Sequence, residues 1–128
     1  MSNEKRPRLG VRDKIEVRIA MLARERVETL LRVKMASLSA EKLILACIAG
    51  GKVDPSNIFE FRARISAFKA QLDTVNVVIL ALSCGTVEQP SGMQLQQTLV
   101  YGAKRLGAFQ IEFSEFVDQT YLKFRPLV

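Results

Sequence analysis

Residues 58–82 read IFEFRARISAFKAQLDTVNVVILAL, and Ile58, Phe61, Ile65, Phe68, Leu72, Val75, Ile79 and Leu82 fall at alternating steps of three and four. A half-buried strand would alternate at every second residue. Steps of three and four instead return each side chain to one face of a 3.6-residue helix, here roughly 40 Å long at 1.5 Å per residue. The second half adds Val77, Val78 and Leu80, which makes the helix apolar nearly all round. Such a helix is expected at the centre of a fold or at a subunit contact. Arg62, Arg64 and Lys69 flank its seam.

Punctuation on both sides delimits this segment. Asp54-Pro55-Ser56-Asn57 opens it and Gly85 closes it, followed by a loop at Glu88-Gln89-Pro90-Ser91-Gly92. Upstream, Ile15, Ile19, Leu22, Ala23, Val27, Leu30 and Leu31 predict an amphipathic helix from Val11 to about Ala36. On a helical wheel Lys14, Arg18, Glu25, Glu28 and Arg32 take the opposite side, with Glu28 and Arg32 spaced as an i,i+4 ion pair. Arg12 and Arg26 fall inside the apolar stripe, where an arginine requires a partner or an interface. Ser39-Ala40-Glu41-Lys42 predicts a short second helix capped by Ser39 and stopped by Gly50-Gly51.

A final helical stretch runs from about Met93 to Phe124, with Leu95, Leu99, Leu106, Phe109, Phe113, Phe116, Val117 and Phe124 on one side. Gly102 and Gly107 interrupt it, which predicts a kink near Gly107 or two separate helices. The alternation in Ala108-Phe109-Gln110-Ile111-Glu112-Phe113 leaves a short strand open as well. The expected fold is all-α: a compact bundle of four or five helices around a long central helix at 58–82. Residues 1–10 form a basic N-terminal arm and residues 11–128 a single helical domain.

The charge is uneven. Nineteen Lys and Arg against thirteen Asp and Glu leave a formal balance of +6. Ten of those cations and five of the acids lie within residues 1–34, so the first third carries +5 of it. A field of this kind suits a polyanion, nucleic acid before an anionic membrane surface. The candidate nucleic-acid contacts are Lys5, Arg6, Arg8, Arg12, Lys14 and Arg18, with Lys104 and Arg105 as a second patch beside two glycines. Gly50-Gly51-Lys52 is better explained as a helix-ending turn, and neither glycine pair matches a phosphate-binding P-loop. Most of the nine aromatic residues fall on apolar seams, which leaves Tyr101 as the one considered for base stacking.

Catalysis is not expected. The chain has no histidine, the usual general base and a common metal ligand. Cys47 and Cys84 sit singly among aliphatic residues and read as small core side chains, so no metal site and no cofactor are expected. The N-terminal charges are followed by no apolar core and no uninterrupted apolar run approaches a membrane span; the expected location is cytoplasmic, with no membrane partner.

No motif identifies a family. In size, helix content and basic balance the chain is similar to the small helical subunits of CRISPR effector complexes and to helical nucleocapsid proteins, a similarity of architecture alone. These features together predict non-catalytic, sequence-tolerant binding of DNA or RNA backbone by a subunit acting in several copies or within a larger nucleoprotein complex. Self-association or docking through the apolar helix seams is expected to accompany it. Two alternatives compete: a dimeric helical DNA-binding regulator, with a recognition helix starting at Gln94, Gln96, Gln97 and Thr98, and a protein–protein adaptor with a basic end.

Overall fold

Three long helices make up the described part of the chain, which in this computed structural model comprises residues 11–84 and 92–128, with side chains described for 14–83 and 93–128. They are α1 (Val11–Ala49), α2 (Ser56–Cys84) and α3 (Gly92–Phe124), closed by a 3-10 turn at Arg125–Leu127. The chain is all-helical among the described residues, with three helices rather than the four or five expected. The predicted arm, residues 1–10, lies outside the described residues, as do Gly85 and most of the 88–92 loop.

All eight seam residues of α2 are buried, so the repeat read from the sequence is the face that holds the bundle together. Each helix packs on both others, and α2 is therefore one wall of three rather than a central spine. Among the described helices it alone is long and apolar enough to cross a membrane, yet its seam is spent on α1 and α3. Gln110 of α3 bonds Glu25 and Thr29 of α1 while Tyr121 bonds Ser39, so α1 and α3 run parallel. Arg62 meets Glu41, and Phe61 and Phe68 meet Phe116 and Phe109 in reversed order; α2 is antiparallel to both.

Two predicted breaks are absent. α1 continues through Ser39, whose hydroxyl accepts from Tyr121 at 2.7 Å instead of capping a helix. Burial of Ala40, Ile44 and Cys47 against the rest of the core carries the helix on. α3 likewise runs through Gly102 and Gly107 without a kink-forming proline, and residues 108–113 are helical, with Phe109 and Phe113 stacked one turn apart at 5.9 Å. Ile111 is exposed between the buried Phe109 and Phe113, which a helix allows and a strand, putting all three on one face, would not; the backbone bonding is helical.

The turns obey the local signals. Asp54 caps α2: its carboxylate accepts from the Ser56 amide at 3.0 Å, with Pro55 at the entry where a missing N–H costs nothing. At the end of α1, the Lys52 amide bonds the Cys47 carbonyl and the Gly51 amide bonds that of Ile48, with Gly51 at φ 69°. That pair of bonds is a Schellman ending, which needs a left-handed residue. Replacing Gly51 with alanine is expected to cost about 1 kcal/mol in urea unfolding, because Cβ disfavours that backbone region.

The inward face of α1 differs in detail from the wheel reading. Ile15, Ile19, Leu22, Thr29, Val33, Ala40, Ile44 and Cys47 are buried, whereas Val27 and Leu31 are exposed. Thr29 sits in this row at little cost, because its hydroxyl donates to the Glu25 carbonyl and accepts from Gln110. Cys47 is free and buried, its Sγ within 3.3 Å of the Phe124 carbonyl.

Candidate nucleic-acid interface

The cations named from the sequence do not gather into one patch among the described residues. Lys5, Arg6 and Arg8 lie outside the described residues, and Arg12 belongs to the first turn of α1 with its side chain outside them. Lys14 and Arg18 are exposed on α1. Arg18 shares a helical row with Leu22, Glu25 and Thr29, the row that meets Gly102 and Gln110, so it flanks the α1–α3 side. Glu25 and Arg18 therefore stand beside α3 instead of opposite the core. Glu28 pairs with Arg24 at 3.2 Å, not with Arg32.

Lys104 and Arg105 are also exposed, but successive residues on a helix diverge by about 100°. Arg105 lies in the row of Phe109, Glu112 and Phe116 that faces α2, and its guanidinium sits 5.9 Å from the Tyr101 ring, at the outer limit of a cation–π contact. Lys104 points away from both neighbours by the same geometry. Because Gly102 is level with Leu22, the pair stands roughly six to eleven residues farther along the bundle than Arg18 and Lys14, about 9–16 Å. The helix also removes the exposed loop that the two glycines suggested. Gln94, Gln96 and Gln97 are exposed in the first turns of α3, a 33-residue helix packed on both others.

A better-formed cationic surface lies between α1 and α2. An open groove of about 380 Å³ is floored by Leu38, Phe61 and Ile65 and walled by Lys34, Arg62 and Lys69, with the hydroxyls of Ser37 and Ser66 at its sides. Three cations face one carboxylate, Glu41, and Arg62 already binds it. Among the described residues neither Lys34 nor Lys69 has a carboxylate within ion-pairing distance. Arg62 and Lys69 are one heptad apart on α2, about 10.5 Å along its axis. The seam-flanking positions of α2 were visible in the sequence, but Lys34 joins them only when α1 and α2 pack antiparallel.

The groove between α2 and α3 has a different chemistry. The Arg64 guanidinium lies 5.0 Å from the Phe116 ring centre and 5.5 Å from that of Phe68, with Glu112, Glu115, Gln71 and Gln119 around it. Two carboxylates against one arginine leave it acidic. No group of three or more metal-ligating side chains occurs among the described residues. Compared with known protein families, curated proteins and solved structures, the chain matches none, and its grooves and faces are what its function is read from.

Proposed function

We propose that this chain binds the phosphate backbone of nucleic acid without reading its sequence and without catalysis, acting in several copies or inside a larger nucleoprotein complex. The α1–α2 groove carries the reading: Lys34 and Lys69 offer unpaired ammonium groups beside Arg62, over an apolar floor. A lysine with no counter-ion releases condensed cations from a polyanion when it neutralises a phosphate, which favours binding at any sequence. Lys5, Arg6, Arg8, Arg12, Lys14 and Arg18 supply a second contact set on the first third of the chain, and Lys104 and Arg105 a third.

The test is binding of labelled single- and double-stranded DNA and RNA of unrelated sequence across a salt series. K34A/K69A is expected to weaken duplex binding about tenfold or more at low salt and to flatten the log K against log salt slope by about 1.8, or 0.9 for each lost phosphate contact. Removal of residues 1–10 measures the arm in the same way. Absence of binding to every probe at low salt would reject the proposal.

A further inference from the structure

α1 carries a second three-and-four repeat on the side turned away from the bundle. Val17, Met21, Arg24, Glu28, Leu31 and Met35 form one stripe, and its apolar members are 51 %, 64 %, 57 % and 72 % exposed in chain order. Scattered exposed apolar residues are ordinary on any surface, but a heptad-spaced row of them is the pattern of a helix-pairing seam. Its two charges, Arg24 and Glu28, sit at its middle and already pair within the helix at 3.2 Å.

We propose that a second copy of this chain packs antiparallel on this stripe, with the two-fold axis beside residue 26. In that register Arg24 of each copy faces Glu28 of the other, Met21 faces Leu31, and Val17 faces Met35. The charges select this arrangement. A parallel pair would stack Arg24 on Arg24 and Glu28 on Glu28, and an antiparallel pair slid until Leu31 meets Met35 would set Arg24 against Lys42. Like charges facing across a seam oppose association, and opposite charges fix its register. The α2 seam is consumed inside the chain, whereas this α1 stripe is open to a second copy. The inference is independent of the nucleic-acid reading.

One helix pair about five turns long is a small interface, below the roughly 1,200 Å² typical of stable complexes, so the dimer is a weak one. Sedimentation velocity from about 5 to 500 µM spans the range expected for such an interface. The intact chain is expected to shift from monomer to dimer across it. R24E and E28R, each placing four like charges at the axis, are expected to raise the dissociation constant about tenfold or more, a change of 1.4 kcal/mol. The double swap R24E/E28R is expected to restore it to within about threefold, because the swapped charges again face their opposites. The Arg24 and Glu28 side chains are 83 % and 48 % exposed, and unchanged circular dichroism of each variant verifies that it is folded. A chain that stays monomeric throughout overturns the proposal, as does a dimer indifferent to the single reversals or one that the double swap does not rescue.

Discussion

Replacing Phe68 with alanine is expected to lower the unfolding free energy by about 3–5 kcal/mol, a large share of the roughly 5–15 kcal/mol that holds a domain of this kind together. Phe68 is 4 % exposed and sits where α2 meets α3. Its ring packs edge-on against Phe109 at 5.7 Å and Phe113 at 5.4 Å, and tilted against Phe116 at 5.3 Å. The substitution therefore removes buried apolar area and three aromatic contacts at once, each worth about 0.5–1.5 kcal/mol beyond its area. It also leaves a cavity among rings that cannot all close in. Urea unfolding followed by circular dichroism checks this, with Phe59→Ala as the control on the same helix. Phe59 is 66 % exposed, and its loss is expected to change stability by less than about 0.5 kcal/mol. Equal losses at the two positions would mean that the aromatic cluster is not the joint between α2 and α3.

The two glycines inside α3 are expected to respond in opposite directions. A Cβ at Gly102 would lie 3.1 Å from Leu22 Cδ2 and 3.1 Å from Val78 Cγ1, so side chains of both α1 and α2 close on this missing side chain of α3. Gly102→Leu is expected to destabilise by about 2–3 kcal/mol even after its gain in helix propensity, because the branched Val78 side chain has little freedom to retreat. Gly107 meets nothing within 4 Å of such a Cβ. Gly107→Ala is expected to stabilise by about 0.5–1 kcal/mol, since alanine costs less backbone entropy in a helix. Thermal melts of both variants give the comparison. Stabilisation by Gly102→Leu would show that α3 does not approach α1 and α2 as closely as described.

Much of this architecture was legible in the order of residues. The 58–82 repeat could only be a helix, since its period matches 3.6 and no strand tolerates it, and its eight seam residues are the buried ones. Asp54-Pro55 and Gly50-Gly51 marked a turn because capping and left-handed backbone are short-range chemistry, carried by the residues themselves. The all-helical class and the unevenness of charge belong to the sequence in the same way.

What the sequence left open was decided by contacts between helices. Ser39 looks like a cap, yet Tyr121 engages its hydroxyl and the burial of Ala40 and Ile44 draws α1 onward for another ten residues, to Ala49. Gly102 reads as a break, but packing against Leu22 and Val78 turns the absent side chain into a site of close approach. α1 is apolar on two sides, and its periodicity alone does not tell which side turns inward; the neighbours chose the row of Ile15, Ile19 and Val33 and left Met21, Leu31 and Met35 outside. The cationic groove follows from the same rule. Lys34 is far in sequence from Arg62 and Lys69, and only the antiparallel packing of α1 on α2 makes them neighbours, because a surface shared by two helices is a property of their arrangement and not of either one.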